Sequence, residues 1–195
     1  MAAKSRDRSV TPPLTADDRG LLLALARQSL EAAVRRQPDP PLPPVPPALE
    51  ASAGVFVSLH GRTELRGCVG YVEARLPLCR AVMEAAAAAA LRDHRFPPVK
   101  PWELPDLIVE ISVLSPRCSA RLEDIQIGVH GVMVTQEQAR GLLLPKVAVE
   151  RQWEASRFLE ETCRKAGLAP DAWRRGAAIE VFTAEVFREE APATA

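Results

Sequence analysis

An α+β fold with a mainly antiparallel sheet is what this 195-residue chain predicts. Three observations carry that prediction. Alternating, strand-like runs and helix-like apolar stripes are mixed along the sequence. Many of the links between strand-like runs are short and glycine-marked, which suits hairpins, whereas a parallel crossover needs a longer connection. The length suffices for one sizeable core, or for a core with a small subdomain.

Residues 1–14 read as a disordered tail, because they are polar and lack an apolar period. Thr15-Ala16-Asp17-Asp18 then reads as a helix start, a Thr cap with acids in the first turn. Leu21, Leu22, Leu25 and Leu30 give that helix one apolar stripe, and it is expected to run to about Arg36. Pro38 to Pro47 holds seven prolines and predicts an extended connector inside the domain. Gly54 to His60 is a strand, Gly61-Arg62 a turn, and Thr63 to Val72 the return strand of a hairpin. Pro77 opens a second helix, continued by the alanine run Ala85 to Ala90 and ending near Arg92. That run offers a smooth face able to approach a sheet closely. The double proline Pro97-Pro98 forces an extended chain, which carries on through Pro101 to Pro105. Leu107 to Leu114 is a strong strand. Three short strands are expected near 123–129, 131–135 and 139–144, with Gly128, Gly131 and Gly141 at their turns. Trp153 to Lys165 is a third helix stopped by Gly167, Pro170 to Trp173 a short turn, and Ile179 to Phe187 one final strand. The domain therefore spans 15–188, with 189–195 as a tail.

Lys plus Arg and Asp plus Glu are both 25, so the formal net charge is zero. That argues against a protein whose main task is coating nucleic acid or anionic membrane, since such binding needs a basic surface. No apolar run has the length of a membrane span, and no apolar segment follows the basic start as in a secretory signal. Cys68, Cys79, Cys118 and Cys163 are widely spaced with no CxxC pair, which argues against structural zinc and a disulfide framework and fits a reducing cytoplasm. Three scattered histidines without HxH or HExxH spacing argue against a metal site, and no cofactor motif is visible.

Leu65-Arg66-Gly67-Cys68-Val69-Gly70 is the most informative stretch. It sets a cysteine between two glycines beside a guanidinium, which favours a thiolate and can hold an anion. The same residues also suit a tightly packed strand in which a small cysteine simply fits. If the second helix crosses this strand, Arg66, Cys68, Asp93 and Arg95 border one cleft, with Tyr71 and Phe96 as an apolar wall suited to a small anionic or heterocyclic ligand. The alternative is that Asp93 and Arg95 pair locally at the helix end while Phe96 plugs the core. Catalysis by Cys68 needs a base within reach, and the candidates are His60 and His94, oriented by Asp93 or Glu64. His130 reads as a solvated turn residue. Glu103-Leu104-Pro105 reads either as a docking edge or as a stop before the next strand. Trp153 and Trp173 read as core or half-core residues.

Leu65 to Gly70, Asp93-His94-Arg95-Phe96-Pro97-Pro98 and Glu103-Leu104-Pro105, supported by Leu142 to Val147, resemble the AMMECR domain family over roughly residues 20–187. Val69 stands where isoleucine is usual, Lys146 where bacterial relatives often have glutamine, and His94 at a variable place in the motif. The resemblance implies a single barrel-like sheet, built from two related halves and packed with about four helices. It also implies a bacterial protein of the AmmeMemoRadiSam type, with Memo-type and radical-SAM proteins as partners. On this reading the chain is an accessory component whose ligand-binding residues are Arg66, Gly67, Gly70, Tyr71, Asp93, Arg95 and Phe96. The alternatives are a thiol enzyme using Cys68 and a nucleic-acid-associated regulator.

Overall fold

The computed structural model describes residues 13–61 and 64–190. The chain divides into two units, one running to Leu114 and resuming at Glu185, the other Ser115–Ala184. The tails expected at 1–12 and 191–195, and Arg62 and Thr63 of the hairpin turn, lie outside the described residues.

In the first unit, α1 (Ala16–Arg35) begins as its sequence signals. The Thr15 hydroxyl accepts from the Asp18 N–H at 3.1 Å, and the Asp18 carboxylate accepts from the Thr15 N–H at 2.9 Å. This reciprocal cap satisfies donors the helix itself cannot pair. The helix ends on Arg36 in a left-handed conformation. Leu14, assigned to the tail by sequence, is buried in the core that also holds the apolar stripe of α1. The proline-rich segment is extended up to a one-turn helix, α2 (Pro47–Glu50).

The hairpin follows as β1 (Gly54–His60) and β2 (Leu65–Tyr71), antiparallel, with an irregularity in register between Leu59 and His60. Next comes α3 (Leu78–Leu91), then β3 (Ile108–Leu114), antiparallel to β1. The sequence expects an extended chain from Pro101 to Pro105. The structure has a 3₁₀ turn over Pro101–Asp106 instead. Proline is tolerated in a first turn, and the Glu103 carboxylate accepts the Lys100 N–H at 2.7 Å.

The sheet of this unit runs β2-β1-β3 and then the last strand, Ala184–Arg188. Val55, Val57 and Leu59 of β1 and Val109 and Ile111 of β3 are fully buried in one core with Leu22, Leu25 and Leu30 of α1 and Leu78 and Val82 of α3. Burying each such leucine is worth about 1.5–3 kcal/mol.

In the second unit, β4 (Cys118–Ser119), β5 (Gly131–Gln136), β6 (Ala139–Leu143) and β7 (Ala178–Phe182) form a sheet ordered β4-β7-β5-β6. Between them lie α4 (Pro145–Glu150) and α5 (Ala155–Lys165). Phe158, Leu159 and Cys163 of α5 are fully buried against Val132 and Val134 of β5.

The α+β class and the mainly antiparallel pairing hold. The single barrel-like sheet does not: the described strands form two four-stranded sheets, one in each unit. Three local expectations also change. Residues 123–129 are not a strand, because Leu122–Asp124 form a 3₁₀ turn whose Asp124 carboxylate accepts the Arg121 N–H at 2.9 Å. The run 179–187 is two strands, β7 and, after a break at Thr183, β8 (Ala184–Arg188), which pair into different sheets. Five α-helices occur among the described residues, where the sequence pattern places three and the resemblance implies about four; the short α2 and α4 are the ones the pattern does not mark.

Candidate functional site

Gly67 lets α3 lie on β2. A Cβ there would sit 2.2 Å from the Ala89 carbonyl oxygen, so only glycine admits the alanine face of the helix at this distance. Gly70 is similarly confined: its Cβ would fall 2.3 Å from the Val55 carbonyl oxygen and 2.5 Å from the Phe56 ring. Both glycines expected to bind a ligand therefore serve packing first.

The close approach brings the end of α3 to the free edge of β2. There the Asp93 carboxylate accepts the Cys68 N–H at 2.8 Å, and the Arg95 guanidinium donates to the Cys68 carbonyl at 3.1 Å. The same guanidinium is paired with Asp93 at 2.7 and 2.9 Å and lies 5.4 Å from the Phe96 ring centroid. Two side chains thus stand in for a neighbouring strand and cover an edge that would otherwise be open. The hydrogen bonds from Arg95 hold the Asp93 carboxyl at about 2, down from its ordinary 3.8, although burial acts the other way. One step further, Arg66 makes a forked pair with Glu103 at 2.6 and 3.1 Å and donates to the Pro97 carbonyl at 2.6 Å. Arg66 also lowers the Glu103 carboxyl below its usual range.

Sequence reasoning places Arg66, Cys68, Asp93, Arg95 and Phe96 together, and the structure does bring them together. What it adds is a main-chain grip: Asp93 and Arg95 hold the N–H and carbonyl of Cys68, and Arg95 also interacts with the Cys68 side chain. The thiol lies on the other face of the sheet. Gly67, Val69 and Tyr71 pair with Leu59, Val57 and Val55 on the α3 side, whereas Cys68 pairs with Ser58 on the opposite side. The Ser58 hydroxyl lies 3.2 Å from the sulfur. Glu110 is the partner of Ser58 on β3, and its carboxylate lies 3.7 Å from Nε2 of His60 on the same face. Neither Ser58 nor Glu110 was singled out by sequence. The period-2 alternation of β1 and β3 carries that information once the register is known.

A pocket of about 520 Å³ opens where β2 leads into α3. Gly70, Tyr71, Val72, Leu76 and Ala81 give it a largely apolar lining, and Glu73 and Arg75 add charge. The Tyr71 hydroxyl lies 3.4 Å from the Glu84 carboxylate, and burial, helped by that carboxylate, pushes its pKa up. Of the expected ligand-binding residues, Gly70 and Tyr71 line this pocket, and the remaining five build the clasp. Leu76 and Ala81 escaped sequence reasoning because nothing in their local pattern separates a pocket wall from a core face. Among the described residues, no group of three or more His, Cys, Asp or Glu is placed to hold a metal ion. Nor is any described helix long and apolar enough to cross a membrane.

A two-sheet α+β protein whose motif strand is clasped by a helix end defines the class, and comparison with known proteins identifies the family. The sequence model of the AMMECR1 family matches residues 23–187, and the chain belongs to that family. A protein of Methanothermobacter thermautotrophicus is 43% identical over 187 residues, covering 91% of this chain and 97% of the relative. PF1979 of Pyrococcus furiosus is 42% identical over 185 residues, with 88% of each chain covered. The crystal structure of PH0010, an uncharacterized protein from Pyrococcus horikoshii, superposes with a TM-score of 0.83 at 40% identity, over 88% of this chain and 91% of that one. These relatives are archaeal, so the bacterial placement expected from the motifs draws no support from them.

Proposed function

We propose that the chain is a binding protein, not a catalyst, and that it takes a small organic ligand in the pocket between β2 and α3. The observation carrying this is the pocket itself: about 520 Å³, largely apolar, with a phenol and two charged residues at its wall. Those are the proportions of a small-molecule site. The clasp supports the reading, because Asp93 and Arg95 are committed to each other and to the Cys68 main chain. A ligand with an apolar body and one anionic group suits the lining, with Arg75 as the cation. The accessory role, in the cytoplasm alongside Memo-type and radical-SAM proteins, belongs to the same proposal and rests on the motif resemblance.

Tyr71 is the only tyrosine of the chain, which supplies a clean test. Protein labelled with 3-fluorotyrosine gives one fluorine resonance, and a fragment library of small aromatic and aliphatic acids is titrated against it. Saturable shifts that disappear in Leu76→Glu are expected. A resonance indifferent to every acid in the library would sink the pocket as the binding site.

Thiol chemistry is the second reading, and a specific observation favours it. Cys68, Ser58, His60 and Glu110 share one face of the sheet, with His60 beside an acid that can orient it. The partners of the Cys68 side chain, however, are Ser58 and Arg95 and not the imidazole, so no base reaches the sulfur, and for that reason binding is placed first. Native alkylation followed by mass spectrometry separates the two. The binding reading expects exposed Cys118 to react first, half-buried Cys68 next, and buried Cys79 and Cys163 last. Cys68 outpacing Cys118, with a rate that falls in His60→Ala, would promote the enzyme.

A further inference from the structure

A second cavity, of about 230 Å³, lies between α1, α3 and the proline-rich connector. Its wall includes Ser29 of α1, Asp39 of the connector, and Arg80, Glu84 and Arg92 along α3, with Met83 and Ala87 as apolar floor. Ser29 is only 3% exposed, and its hydroxyl has no hydrogen-bond partner. A buried hydroxyl left unpaired is costly, so such a group ordinarily meets a partner that is not part of the chain. Arg80, Arg92 and Asp39 form no ion pair among the described residues, and Glu84 has only the 3.4 Å contact with the Tyr71 hydroxyl. The cavity therefore combines two guanidiniums that form no ion pair among the described residues, two carboxylates and an orphaned hydroxyl.

We infer that the cavity bounded by Ser29, Asp39, Arg80, Glu84 and Arg92 binds a small zwitterion bearing a carboxylate and an ammonium group, of the size of a free amino acid. Charge balance selects this class. Two arginines and two acids sum to zero, so the best-matched ligand is neutral overall and carries separated charges. A phosphate or a dicarboxylate would leave net negative charge against Asp39 and Glu84. Guanidinium is the side chain suited to forked recognition of a carboxylate. The carboxylate side chains receive the ammonium, and Ser29 supplies a hydrogen bond inside the cavity. The volume excludes anything much larger. Glu84 and Arg92 also act on Tyr71 of the pocket proposed above, so the two sites are neighbours; retention that falls in Ser29→Ala and survives Leu76→Glu belongs to this cavity.

Equilibrium dialysis of the full chain against a mixture of the twenty common amino acids, read by mass spectrometry, tests the inference. Inorganic phosphate and succinate run as parallel probes. Retention of at least one amino acid is expected, weakened about tenfold in Arg80→Gln or Arg92→Gln, since a hydrogen bond to a charged group carries that much affinity. Ser29→Ala is the internal control. It removes a hydroxyl that the free protein leaves unpaired, so the melting temperature of the unliganded protein should hold or rise while retention falls. No amino acid retained by the wild type would overturn the inference. So would retention unchanged in all three variants, or retention of phosphate or succinate in preference to every amino acid.

Discussion

Asp93 shows how one side chain sets both local geometry and pH response. Its carboxyl titrates near 2 in the folded chain because Arg95 and the Cys68 N–H bind the charged form. A group whose pKa is lowered on folding contributes stability above its unfolded value, and that contribution is lost as pH falls through the folded value. The clasp should therefore weaken between about pH 4 and pH 2. Arg95 is largely exposed and screened by solvent, which leaves a contribution on the order of 1–2 kcal/mol. Urea titrations of wild type and Asp93→Asn should differ by that amount at pH 7 and converge near pH 2. A constant gap down to pH 2 would mean that the charge plays no part. Gly67 acts through volume. Gly67→Ala drives a methyl into the Ala89 carbonyl and should cost about 2–3 kcal/mol in the same assay.

At the scale of the element, the segments legible in advance carry their signal in a short window. The Thr15 cap, the period of α1, the strand Gly54–His60 and the end of α5 at Gly167 follow from capping, periodicity and turn chemistry. Thr15→Ala should cost about 1 kcal/mol by removing the acceptor for the Asp18 N–H, read as a lower urea midpoint at unchanged slope. The misread segments depend on partners elsewhere. The alternation of 178–188 is continuous in sequence, yet the chain breaks at Thr183 because its two halves pair in different sheets. Residues 101–106 look extended from their prolines, and a Glu103 carboxylate bound both to Arg66 and to the Lys100 N–H closes a 3₁₀ turn instead.

Across the whole chain, Arg27 of α1 is bound to Glu189, and it also donates to the carbonyls of Leu104 and Leu107 at 3.2 and 2.8 Å. Glu189 in turn accepts the Val109 N–H at 2.8 Å, and its own N–H donates to the Val109 carbonyl. A residue assigned by sequence to a tail thus ties the end of the chain to β3 and α1. Glu189→Ala should lower stability by about 1–3 kcal/mol, seen as a reduced melting temperature, because it removes the carboxylate from a half-buried guanidinium and the acceptor from the buried Val109 N–H. The sequence by itself determined the α+β class, the positions of α1, α3, α5 and the β1–β2 hairpin, and the family, since each rests on local periodicity or contiguous motif residues. It also offered two readings of the residues near Cys68, a shared cleft or a local Asp93–Arg95 pair, and left them open. Only the tertiary structure decided what those residues grip, which face the thiol takes, how the strands divide into two sheets, and where cavities remain. Those outcomes depend on register and on how closely Gly67 lets a helix approach a strand, and both are fixed by contacts between residues far apart in the chain.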